Sequence, residues 1–302
     1  MTSGRRRWPV ALLAGLALAA ACSSDPTESA NGAAESPSSS VAAETSVAPD
    51  DPAAEPSAST SPGAPVPDET TPPTSGAVTS APPTTSQTPA VPAVGAVGSF
   101  GPWYLRSDAA ASIVLEVRSQ AGAEPSAGTV DAVRAVLAEA SGKPVTTAGG
   151  SVPGGGQAWT PDAIRAEADR TGPPQRADAA VLTLLFVGGE LADGDQALGV
   201  AVRSDVAAIF SDKIDEASGP LTSRARVEEA VSVHEVGHLL GLVDLVLETG
   251  RQDPEHPGHS RNRGSVMYFA VESTLVGDLL GGGPPTRFDD ADRADLRAIA
   301  GR

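Results

Sequence analysis

Cysteine is almost missing from this sequence, and aromatic residues are missing from most of its first third. One cysteine stands among 302 residues, and ten residues in all are Phe, Trp or Tyr. Residues 22–97 contain no aromatic residue and no Lys or Arg, yet hold 14 of the 27 prolines and 9 acidic residues. Such a stretch cannot bury enough apolar surface to offset its ordering entropy, so it is expected to be a disordered linker. Nine of the ten aromatic residues follow residue 98, which leaves residues 98–302 to build one core, ample for a single domain. Basic residues are also scarce: 21 Lys and Arg face 38 Asp and Glu, a formal net charge of −17. That balance excludes the basic surface a nucleic-acid binder needs. It implies a solvated acidic surface and says nothing of fold.

The lone cysteine sits at a telling place. Arg5-Arg6-Arg7 is followed by an apolar run over 10–21 and then by Cys22. About 12 apolar residues are too few to span a bilayer, so a basic start plus this run predicts an export signal over 1–21. Small residues Ala19, Ala20 and Ala21 precede Cys22. This resembles a bacterial lipoprotein signal, which implies cleavage before Cys22 and lipid on it. The expected location is outside the cell, anchored to the outer face of a membrane or secreted. Without the first 21 residues, three arginines are lost and the net charge becomes −20. As a flexible coil, the linker would span roughly 50 Å.

Beyond the linker, strands and helices alternate. Strands are expected over 112–118, weakly over 144–147, over 179–187, and as a pair at 198–202 and 206–210 around Ser204-Asp205. Helices are expected over 129–140, over 161–170 behind Thr160, from Thr222 or Ser223 onward, and over 289–300. Glycines from 149 to 156 read as a loop. The fold class is α+β with a mixed sheet, in a domain expected to be monomeric.

The chemistry lies in His234-Glu235-Val236-Gly237-His238, inside the helix that starts near Ser223. Histidines four residues apart share a helix face, so both imidazoles can bind one zinc ion. Catalytic zinc takes three protein ligands and a water of lowered pKa, and Glu235 is placed to act as the general base on that water. Gly241 follows His238 by three residues, where a left-handed turn can end the helix. Asp244, three residues further on, is the expected third ligand. His256 and His259 are alternatives, with Asp244 then a supporting partner, and Glu248 or Glu272 are further carboxylate candidates. Val231, Leu239 and Leu240 should anchor the helix in the core.

The run from His234 to Asp244 resembles the metzincin zinc motif of matrixin and snapalysin-like peptidases, in the snapalysin-like variant with aspartate in the third place, where matrixins have histidine. Ser265-Val-Met-Tyr268 resembles the Met-turn that sets a methionine, here Met267, beneath the metal. The resemblance implies a zinc-dependent endopeptidase with an active-site helix, a C-terminal helix resembling 288–296, and an edge strand at 198–201 that binds extended protein or peptide substrate. Phe269 stands where astacin-like enzymes carry a tyrosine. No cysteine-switch propeptide is expected, which excludes latency by thiolate capping of the zinc, and no stretch has the spacing of a calcium loop. The alternative from another class is a cell-surface binding module with a structural zinc.

Overall fold

The computed structural model describes residues 89–194, 196–279 and 283–302. The expected signal segment, Cys22 and most of the expected linker lie outside the described residues.

The centre is a five-stranded mixed sheet. Its strands are β1 (Ser112–Ser119), β2 (Val145–Ser151), β4 (Ala179–Val187), β6 (Gly199–Arg203) and β7 (Val206–Phe210), in the order β2-β1-β4-β7-β6. The first four in that order pair in parallel, and β6 closes the edge antiparallel to β7. Every residue of β4 is buried, which is why its apolar run shows no alternation. Gly149 and Gly150, expected in a loop, continue β2 by pairing with Val117 and Arg118. Parallel pairing overrides glycine's weak strand preference there, and Gly150 gains a role: a Cβ would come 3.0 Å from the Arg118 guanidinium. Two short strands, β3 (Gln157–Trp159) and β5 (Gly189–Leu191), form a separate parallel pair.

The helices begin where capping predicts. Ser126 caps α2 (Ala127–Ser141) and Thr160 caps α3 (Pro161–Thr171). Ser223 caps α5 (Arg224–Leu239) by accepting from the Arg226 N–H. A capping box of Asp289 and Asp292 opens α6 (Asp290–Ile299). Two short helices were not legible in advance: α1 (Gly101–Leu105) and α4 (Ser211–Ala217). Val231, Leu239 and Leu240 are fully buried, as expected, in a core shared with β1, β4 and α2. Buried Glu228 accepts bonds from the Ser126 N–H at 2.8 Å and the Thr129 hydroxyl at 2.7 Å, which ties α5 to the start of α2. The folded unit also takes in chain ahead of residue 98, because Gly95 and Ser204 exchange two hydrogen bonds of 3.1 Å. Among the described residues no helix is long and apolar enough to cross a membrane.

Candidate metal centre

α5 carries His234, Glu235 and His238 into the interior; the first two are fully buried and the third nearly so. Their i, i+4 spacing brings the two Nε2 atoms within 3.0 Å. The His234 Nδ1–H donates to the Val266 carbonyl at 2.7 Å, which fixes the ring and turns Nε2 toward His238. Val266 is held in turn. The Ser265 hydroxyl accepts from the Met267 N–H and donates to the Asp292 carboxylate, both at 2.9 Å. The C-terminal helix thereby buttresses the turn under the histidines. A Cβ on Gly237 would strike the Met267 sulfur, so glycine at this position is what lets the methionine lie against α5.

α5 ends as expected. Gly241 has φ +88° and donates to the His238 carbonyl at 3.0 Å, and a Cβ there would lie 3.2 Å from the Gly98 carbonyl oxygen. The next step departs from expectation. Val243 and Asp244 are both left-handed, at φ 54° and 63°, which sets the course of the chain after the helix. Asp244 is not among the residues that converge with the histidines. Its Oδ1 accepts from the Thr249 N–H at 2.6 Å and the Thr249 hydroxyl at 2.7 Å, so it closes a loop. Burial works against its charge, but these bonds hold the carboxyl below its usual range.

His259 comes to the histidines instead. An isolated bridge between Gln252 and Ser260 closes the 252–260 loop, and the Ser260 N–H donates to the Met267 carbonyl at 2.8 Å. His234, His238, His259 and Glu272 form one group whose ligand atoms all lie within 4.8 Å of one another. Glu272 lies 2.8 Å from His259 Nε2, 3.3 Å from His234 Nε2 and 3.9 Å from His238 Nε2. Tetrahedral zinc with bonds of about 2.0–2.1 Å separates its ligand atoms by roughly 3.3 Å, so both the spacing and the donor types suit zinc. His256 is turned away, stacked on Phe269 with ring centroids 3.5 Å apart and 2.9 Å from Asp253. Sequence reasoning ranked His259 behind Asp244 and Glu272 last; the signal for His259 was that all four histidines fall between 234 and 259.

The electrostatics divide the group: burial lowers the proton affinity of His259, but its hydrogen bond to Glu272 outweighs this and raises it above the usual histidine range, whereas His238 goes the other way. Burial, then its neighbour His234, holds His238 well below the usual histidine range. Burial opposes the charge on Glu272, but hydrogen bonds to His234 and His259 outweigh it and hold the carboxyl well below its ordinary range. Glu235 behaves oppositely: burial, reinforced by the Glu272 charge, pushes it well above that range. β6 passes directly over it, and a Cβ on Gly199 would lie 2.6 Å from Glu235 Oε1. Two nearby carboxyls with divergent affinities for a proton are a pattern typical of acid–base sites.

No model of a known protein family matches the chain, and no curated protein matches it. Solved structures do. An archaemetzincin from Methanopyrus kandleri aligns with 64% of this chain and 97% of its own, at 19% identity and a TM-score of 0.43. An archaemetzincin from Archaeoglobus fulgidus, complexed with malonate, aligns over 61% and 99% at 18% identity and 0.37. A zinc-dependent peptidase from Methanocorpusculum labreanum aligns over 60% and 99% at 17% identity and 0.38.

Proposed function

We propose that this protein is a zinc-dependent endopeptidase of metzincin type, exported and anchored by lipid on Cys22. One observation carries the reading: three imidazoles converge at ligand spacing beside Glu235, a buried carboxyl with a raised proton affinity. His234, His238 and His259 are the zinc ligands, with Asp244 in a supporting loop. A zinc ion bound there would supply a Lewis acid and a water acidified toward a pKa of roughly 7. With zinc bound, Glu235 would be the group that accepts the water's proton and returns it to the leaving amine of the cut peptide. Val266 keeps the His234 ring in the tautomer that binds metal, and Met267 packs beneath. β6, at the sheet edge, lines up an extended substrate by main-chain pairing.

A binding module with a structural zinc is the second reading, and one observation favours it: Glu272 offers a fourth protein ligand, as closed sites have. Such a site has no use for Glu235, so the two readings separate on turnover. The test is to purify the full-length protein, measure its zinc content, and follow cleavage of casein before and after a chelator and after zinc is returned. Zinc-dependent cleavage supports the peptidase. Stoichiometric zinc with no cleavage of casein or of a broad peptide mixture supports the module.

A further inference from the structure

Glu272 does more than lie near the histidines. The chain that carries it is laid against the approach to the edge strand. The Leu198 N–H donates to the Glu272 carbonyl at 2.7 Å, the Thr274 N–H donates to the Gln196 carbonyl at 3.0 Å, and Ala197 and Ser273 form an isolated antiparallel bridge. Residues 272–274 therefore make the main-chain pairing that an extended peptide would make with residues 196–198. From that position the Glu272 side chain reaches His259 and His234. The same residues face a cleft of about 380 Å³, lined among others by Gln196, Ala197, His259, Phe269 and Glu272.

We propose that residues 272–274 are an internal latch, in which Glu272 is a fourth metal ligand in the place that water and substrate need. The inference rests on the zinc peptidase reading above. Catalytic zinc needs an open position, and three histidines plus a carboxylate leave none. The latched form is therefore inactive. It opens when an extended peptide pairs with residues 196–198, because peptide and latch compete for the same Leu198 N–H and Gln196 carbonyl. Substrate binding and exposure of the metal are then a single event. Ligand affinity is reduced in proportion to the fraction of protein that is open, and removing the latch removes that reduction.

The experiment uses full-length zinc-loaded protein and acetohydroxamate, a small chelator that binds an open position on zinc. Wild type is compared with Glu272→Ala, Glu272→Gln and Thr274→Pro by calorimetry, with zinc affinity measured in parallel. Thr274→Pro keeps the carboxylate and deletes only the N–H bonded to Gln196; proline suits the first residue of the 3₁₀ turn Thr274–Asp278. The expected result is acetohydroxamate binding at least about tenfold tighter in Glu272→Ala, with weaker zinc binding and faster peptide hydrolysis. Thr274→Pro should shift hydroxamate binding in the same direction. If Glu272→Ala fails to fold, Glu272→Gln and Thr274→Pro decide the question. Zinc bound in all forms with hydroxamate affinity unchanged or weakened would overturn the latch alone. If no form binds zinc, the metal reading fails and the latch with it.

Discussion

Met267 places its sulfur in the space that a Cβ on Gly237 would fill, with Phe288 Cε1 3.1 Å from the same point. Glycine inside a helix normally costs about 1 kcal/mol relative to alanine, so its presence in the middle of α5 needs a reason, and the methionine supplies it. Gly237→Ala gains that propensity and incurs an overpacking penalty of about 1–3 kcal/mol. The expected net effect is a lower thermal midpoint, by up to about 8 °C, in zinc-free protein followed by circular dichroism. A midpoint equal to or above wild type would show that Met267 is not fixed against the helix.

Glu235 can be tested without disturbing the ligands. Glu235→Gln keeps the shape of a buried side chain and removes the proton acceptor. Zinc content should stay at the wild-type level while peptide hydrolysis falls by about 10² or more. Hydrolysis within a few-fold of wild type would move the general base elsewhere.

The third ligand is decided by comparing two variants. His259→Ala should weaken zinc binding by more than the 10- to 100-fold typical of outer-shell changes. Asp244→Ala should keep zinc and lose stability, because the Thr249 N–H and hydroxyl lose their acceptor. Competition with a chromogenic chelator reads the first effect and a denaturant titration reads the second. The reverse pattern would return Asp244 to the metal.

Lys143 provides a pH test remote from the metal. Burial, opposed by Asp108 and aided by Arg302, lowers its pKa to about 8, and its Nζ donates to the Trp103 carbonyl at 3.1 Å. In the unfolded chain the amine keeps its proton to about pH 10.4. Between these values the unfolded state binds more protons, so stability from this group rises with pH. The stability of wild type relative to Lys143→Met should therefore increase from pH 8 to pH 10 and be flat from pH 6 to pH 7. A difference that does not change with pH, measured by urea titration, would show that Lys143 is not buried in its charged form.

The proposed anchor predicts a product at the N-terminus. Mass spectrometry of native protein should find acyl groups on Cys22, and Cys22→Ser should move the protein from the membrane fraction to the medium. Several acyl chains are expected, because a single chain holds a protein only marginally. An unmodified thiol on wild-type protein free of membranes would remove the anchor.

Much of this site was readable from short-range spacing. The fall of His234, Glu235 and His238 within α5, the Ser223 cap and the end at Gly241 all depend on residues within a few positions of each other, and helix geometry converts that spacing directly into position. The buried strand β4 was legible for a similar reason, since only a strand covered on both sides carries nine buried positions in a row. Asp244 marks where this reasoning stopped. Its distance from Gly241 was right for a ligand, but two left-handed residues and the bonds to Thr249 hold it in a loop, and their geometry depends on what the chain packs against. His259 joins His234 and His238 because a bridge between Gln252 and Ser260 and a bond from Ser260 to Met267 fold its loop back, contacts between segments that spacing alone does not relate. Glu272 depends on still longer reach, the pairing of residues 272–274 with 196–198. Local periodicity thus determined the helix and the placement of His234, Glu235 and His238 on it. The third and fourth members of the group were decided by loop closure and cross-strand pairing, which exist only once the chain has packed.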